Sequence, residues 1–131
     1  KEKMMKRSAS VVAPVEPKKA TKSQCEISSR YPSTYEEFTR INDRMLELFC
    51  DKQADYGPTN IGMGNAIVDD DDDVKKSLLG LSVRMNDKVQ RLLNITLNDR
   101  KPNNESIEDT LMDLANYSVM ALIVMKKVWG K

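Results

Sequence analysis

Histidine is absent from the 131 residues. That removes His-ligated zinc, imidazole acid–base catalysis and Ser-His-Asp chemistry at once. Cysteine is almost absent too. Cys25 and Cys50 are the two present, too few for a disulfide scaffold, and they point to a reducing, cytoplasmic setting. Glycine and proline number five each, and aromatic residues make up 5% of the chain, which argues against a turn-rich all-β fold. The longest apolar run, near residues 119–125, is far too short to span a bilayer. No apolar signal core opens the sequence, so nothing marks it for export.

What is present is the vocabulary of helices. Leu, Met, Lys, Glu and Asp fill the long segments between the few glycines and prolines. A composition of 40% hydrophobic and 31% charged residues supports a folded chain. The net charge of +1 hides an asymmetry. Residues 1–31 carry eight basic and three acidic side chains, a net of +5, and the remainder has a net of −4. We expect residues 1–31 to be a flexible basic tail and residues 32–131 an all-α domain. The run Lys1, Lys3, Lys6, Arg7 has the composition for nucleic-acid or partner contact, although such runs are more often solvated arms. The acidic remainder suits metal binding better than nonspecific nucleic-acid binding.

Three helices are predicted in the domain. The first starts at Ser33-Thr34, where Thr34 and Glu37 have capping-box spacing, carries Phe38, Ile41, Met45 and Leu48/Phe49 on one stripe, and stops at Gly57-Pro58. Residues 57–68 hold three of the five glycines and read as a tight loop. Asp69 to Asp73 then place negative charge at the start of the second helix, where it suits the helix dipole. That helix is expected over about 74–97, with Leu78, Leu79, Leu81, Val83, Met85, Val89, Leu92 and Leu93 on a wide apolar arc. After a polar connection at 98–104, the third helix is expected over about 105–128. It is apolar on nearly every side, through Ile107, Leu111, Leu114, Ala115, Val119, Leu122, Ile123 and Val128. A lone monomer of three helices leaves such a helix poorly covered, so homo-oligomerisation is expected.

The chemistry lies in the polar residues that interrupt these stripes. Glu105, Asp109 and Asp113 recur at i, i+4 and i+8, within an arc of roughly 80°, and Asn116 falls inside it. Stacked carboxylates repel unless cations neutralise them. Arg84, Asp87, Lys88 and Arg91 form a second ridge within an arc of about 100° on the preceding helix. Two interpretations fit. The ridges can pair as an interhelical ion network, or the carboxylates can hold Mg²⁺ while the cations meet a phosphate chain, chemistry that needs no histidine. A third cluster, Lys52, Asp55, Tyr56 and Gly57, is either an ordinary helix end or a nucleoside contact, with Tyr56 stacking on a base and Lys52 meeting a phosphate.

Taken in order, K-x-x-D-Y-G at 52–57, G-L-x-x-R-M-x-D-K-x-x-R-L at 80–92 and E-S-I-E-D-T-L-M-D-L-A-N-Y at 105–117 resemble the nucleotide modification associated domain of phages and bacteria. That family looks like a branch of the all-α, MazG-like nucleoside triphosphate pyrophosphatases. The resemblance covers roughly residues 34–128. It implies a helical bundle, dimeric or tetrameric, in the host cytoplasm if phage-encoded, with a Mg²⁺-dependent site releasing a nucleoside monophosphate and pyrophosphate. Asp109 and Asp113 match the acidic pair of the final motif, with Glu105 one turn earlier and Asp87 contributed by the preceding helix. These four would hold metal, with Asp87, Asp109 and Asp113 catalytic. Arg84, Lys88, Arg91 and Lys52 would bind phosphates, and Asp55, Tyr56, Asn116 and Tyr117 would close the nucleoside end.

One departure stands out. The Glu-x-x-Glu pair that MazG-like enzymes typically place on the preceding helix reads Arg84-Met85-Asn86-Asp87 here, so a cation replaces one carboxylate, and Glu36, Glu37 or Glu47 would have to compensate. The departure favours an alternative function, a non-catalytic module that senses or sequesters a nucleotide or assists base modification. A purely structural oligomer with mutually neutralising ridges is the third possibility.

Overall fold

The computed structural model describes residues 14–61 and 68–131. Among them it has four α-helices, one 3₁₀ turn and no strand, so the all-α expectation holds. The chain divides into two compact units, Lys1–Glu37 and Phe38–Lys131.

In the first unit, helix α1 spans Lys22–Arg30. No regular element was expected before Pro32, and this helix lies within the residues read from sequence as a tail. Its cause is local. The Thr21 hydroxyl accepts from the Gln24 amide at 3.2 Å, and the Gln24 side-chain oxygen accepts from the Thr21 amide at 2.7 Å, a reciprocal box at the N-terminus. No residue of α1 is buried. Residues 1–13, which carry Lys1, Lys3, Lys6 and Arg7, lie outside the described residues.

Helix α2 runs over Pro32–Tyr56 and starts two residues before Thr34. Pro32 occupies the first helical position, where its missing N–H costs nothing and its φ is already helical. Thr34 is therefore already within the helix and is not its N-cap residue. At the other end, Gly57 takes φ 68°, a left-handed value that ends the helix, and Pro58–Asn60 follow as the 3₁₀ turn. Of the expected α2 stripe, Met45, Leu48 and Phe49 are half-buried while Phe38 and Ile41 are exposed.

Helix α3 spans Asp71–Leu97. It begins three residues earlier than expected because the aspartates themselves build its start. The Asp70 carboxylate caps the Asp73 amide at 2.8 Å, and Asp71, Asp72 and Asp73 occupy the first turn. Three lysines meet this acidic end: Lys76 bonds Asp72 at 2.6 Å, Lys127 bonds Asp71 at 2.6 Å and Lys131 bonds Asp69 at 2.9 Å. Helix α4, Ile107–Met125, is shorter than expected at both ends. Ser106 caps its start, and Lys127 at φ 56° turns the chain away after its end.

In the second unit, α3 and α4 make the close backbone contact. The core gathers Ile61, Val68, Leu81, Met120, Val124 and Trp129, with Phe49, Val74, Met85 and Tyr117 packed against it. Trp129 is the largest buried side chain. Its ring meets Phe49 edge-on at 6.0 Å and its indole N–H donates to the Pro58 carbonyl at 2.8 Å. Gly80 lets the 58–61 turn lie against α3, since a Cβ there would stand 3.1 Å from the Ile61 carbonyl oxygen.

The buried face of α4 is Thr110, Met112, Asn116, Met120 and Val124. Of the apolar residues that the sequence places around this helix, Ile107, Leu111, Val119, Leu122 and Val128 are exposed in this chain. Among the described residues no helix is long and apolar enough to cross a membrane.

Candidate functional site

Two buried polar positions on α4, Thr110 and Asn116, and the half-buried Asp113 between them mark where the bundle departs from a simple apolar core. The carboxylate of Asp113 stands between two lysines from different helices. Lys52 of α2 reaches one oxygen at 2.5 Å, and Lys88 of α3 reaches the other at 2.8 Å. Lys88 also bonds both oxygens of Glu105, at 2.8 and 3.0 Å. An ammonium has three donors. Those of Lys88 therefore face three carboxylate oxygens, at a side chain only 18% exposed.

Electrostatics follow this geometry. Burial by itself would push the Asp113 carboxyl up, but hydrogen bonds from Lys52 and Lys88 outweigh it and hold the group below its ordinary value. Burial likewise disfavours the Lys88 cation, and its bonds to Asp113 and Glu105 reverse that, so its ammonium titrates above the ordinary lysine value. Arg91 extends the network. Its guanidinium donates to the Glu105 carbonyl oxygen and to the Thr110 hydroxyl, and that hydroxyl also lies 3.1 Å from a Glu105 carboxylate oxygen.

Beside this network is a cavity of about 370 Å³ lined by residues of α2, α3 and α4. Lys52 and Arg84 bring cations to its wall, and Asp113 brings the carboxylate. Phe49, Tyr56 and Tyr117 supply aromatic surface, Gln53 and Asn116 amides, and Met120 an apolar floor. Asn116 is held in place by donating to the Met45 carbonyl at 3.2 Å. Tyr117 belongs to both the wall and the core margin, which fixes one side of the cavity to the bundle interior.

The profile of the nucleotide modification associated domain 1 family matches residues 52–125, more than half of the chain. The chain belongs to that family. No curated protein and no solved structure matches it. The family span of this nucleotide modification associated domain protein opens at Lys52 and closes at Met125, so it takes in every cavity residue named above except Phe49.

The twelve site residues expected from sequence do not all come together. Lys52, Tyr56, Arg84, Asp113, Asn116 and Tyr117 meet at the cavity. Glu105, Lys88 and Arg91 form the ion network behind Asp113 and do not line the cavity. Asp109 is elsewhere in role. Its amide donates to the Ser106 hydroxyl oxygen at 2.9 Å and its carboxylate accepts from the same hydroxyl at 2.7 Å, so it completes the α4 cap, and that hydroxyl holds its carboxyl below the ordinary value. Asp87 and Asp55 are exposed and take part in none of these contacts. The four expected metal ligands thus do not form one cluster; among the described residues no three acidic or cysteine side chains gather as a metal site.

Sequence reasoning missed Phe49, Gln53 and Met120 as wall residues, and Thr110 as a network member. A signal existed for the first two: Phe49, Lys52/Gln53 and Tyr56 recur at i, i+3/i+4 and i+7 on one face of α2.

Proposed function

We propose that this protein binds a nucleotide in the cavity between α2, α3 and α4. The observation that carries it is the cavity wall itself, which sets Lys52 and Arg84 beside Tyr56 and Tyr117, cations for phosphate next to aromatic faces for a base. Membership of the nucleotide modification associated domain 1 family supports the ligand class. In this assignment Tyr56, exposed at the rim, and Tyr117 flank the nucleoside, Gln53 and Asn116 offer amides to its polar edge, and Lys52 and Arg84 take the phosphate. A homo-oligomer of MazG-like type belongs to the proposal, supported by the exposed Leu111, Leu122 and Met125 on α4.

Mg²⁺-dependent pyrophosphohydrolysis of a nucleoside triphosphate is the second reading, and one observation favours it: Asp113 is kept ionised at the cavity wall with Glu105 beside the same lysine. Those two carboxylates would hold the ion, which would neutralise phosphate charge and activate water. Lys52 and Lys88 would then be released to the phosphates.

One experiment separates these readings. Ribo- and deoxynucleotides are added to the purified protein with and without Mg²⁺, and both thermal stability and chromatographic products are followed. A ligand at a hundredfold its Kd stabilises the native state by about 2.7 kcal/mol. Stabilisation with no product supports a binding module. Monophosphate and pyrophosphate formed only with Mg²⁺, and lost on Asp113→Asn, support the hydrolase. Neither stabilisation nor product from any nucleotide rejects the nucleotide assignment.

A further inference from the structure

Helix α3 presents apolar side chains on two faces. The inner one, with Ser77, Leu81 and Ile95, is buried. On the outer one, Leu79, Val83, Asn86, Gln90, Leu93 and Leu97 recur at alternating steps of four and three residues, the spacing of a two-helix seam. At about 100° per residue these positions share an arc of about 80°, opposite the buried face. All are exposed, the four apolar ones by 46–77%. Single exposed apolar residues are ordinary, but a stripe this regular along one helix marks a contact surface.

We infer that this stripe joins two copies of the chain, packed antiparallel about a two-fold axis at the level of residue 88. The inference gives the homo-oligomer proposed above a contact surface and does not depend on nucleotide binding. A two-fold interface must be complementary to itself. The antiparallel arrangement sets Leu79 against the partner's Leu97, Val83 against the partner's Leu93 and Asn86 against the partner's Gln90. Apolar groups thus meet apolar groups, and amides meet amides. A slip of one heptad in either direction would set both amides against Leu or Val, so the amides fix the register.

Charge decides the direction. A parallel pair would bring the Asp69–Asp73 runs of both copies side by side, and Lys76, Lys127 and Lys131 neutralise three of the five carboxylates in each. The antiparallel pair places that acidic end near the partner's Arg100 and Lys101, exposed cations just past the end of α3. It also sets the two helix dipoles head to tail. Arg84, a cavity residue, lies about 140° around the helix from Leu79, so the seam leaves the cavity of each copy open.

Sedimentation velocity of the full chain without nucleotide, over a range of concentrations, tests this. Wild type is expected to form a dimer, or a tetramer where the exposed face of α4 also associates. Val83→Lys and Leu93→Glu each set a charge against an apolar neighbour and weaken the α3 contact by ~10-fold or more, halving the mass of the assembly at a fixed concentration. Both positions are exposed in a single copy, so the far-UV circular dichroism spectrum should not change. The double variant Val83→Lys/Leu93→Glu sets opposite charges across the antiparallel seam and regains the wild-type mass; in a parallel pair it would set like charges together. An equimolar mixture of the two single variants forms one such opposite-charge pair and regains the mass as well. Single variants that associate like wild type, or a double variant as dissociated as the single ones, overturn the antiparallel α3 seam and leave a homo-oligomer built on other surfaces standing. A wild-type chain that stays monomeric up to ~100 µM overturns both.

Discussion

Replacing Asp113 with asparagine removes one negative charge from a network and keeps its shape, so the sign of its effect on stability is informative. The wild-type carboxylate accepts from Lys52 at 2.5 Å and from Lys88 at 2.8 Å, at a side chain 13% exposed. Asparagine keeps one acceptor oxygen and turns an NH₂ toward the other ammonium. Each hydrogen bond to a charged group contributes about 1.5–3 kcal/mol. The Lys52 bond is discounted because that lysine is 45% exposed, and Lys88 keeps Glu105. The net loss in Asp113→Asn is then about 2 kcal/mol, or roughly 8 °C in Tm for a domain of this size.

The effect has a defined pH window. The Asp113 carboxyl titrates below its ordinary value of 3.8, so its contribution is fully present above 3.8 and disappears as the pH falls through the lower folded value. At pH 7 the two proteins should differ by the full amount. In strong acid, where wild-type Asp113 is also neutral, their curves should converge. Urea denaturation followed by circular dichroism, in metal-free buffer at several pH values, measures this. An Asp113→Asn protein as stable as wild type at pH 7, or more so, would refute the reasoning. It would show that the carboxylate is held against repulsion, as in a site that awaits a cation.

Two further predictions concern the framework of the site. Ser106→Ala removes the hydroxyl that caps the Asp109 amide at the start of α4 and should cost about 1 kcal/mol, read as a lower urea midpoint with unchanged slope. Trp129→Phe keeps an aromatic ring against Phe49 and deletes the indole N–H that the Pro58 carbonyl accepts, so a loss of about 1–2 kcal/mol is expected by the same measurement.

Much of the helical layout was legible because its signals are local. Asp69–Asp73 announced a helix start, and Gly57-Pro58 a helix end, through the chemistry of caps and turns alone. Half of the expected site residues reach the cavity because a ridge at i, i+4 spacing fixes which side chains share a face. That ridge does not fix which members stay exposed. Asp109 and Asp113 are one turn apart, yet the first lies beside Ser106 at a free helix end and the second under Lys52, a partner 61 positions away in the chain. The phase of α4 was illegible for the opposite reason. A helix apolar on nearly every side gives no preferred direction, and its buried face includes Thr110 and Asn116, which composition places outside. Helix α1 was missed because its cap pairs Thr21 with Gln24 without an apolar stripe to draw attention to it.

The placement of the chain's one tryptophan gives the site a built-in optical probe. Trp129 is buried and meets edge-on the Phe49 ring that forms part of the cavity wall. Tyr117, a wall residue, packs against the core cluster to which Trp129 belongs. Tyrosine emission overlaps indole absorption, so a base stacked on Tyr117 should lower the energy that this tyrosine passes to Trp129. Ligand entry and unfolding thus register in the same emission band by different routes, the first through tyrosine-sensitised intensity and the second through the red shift of an indole exposed to water.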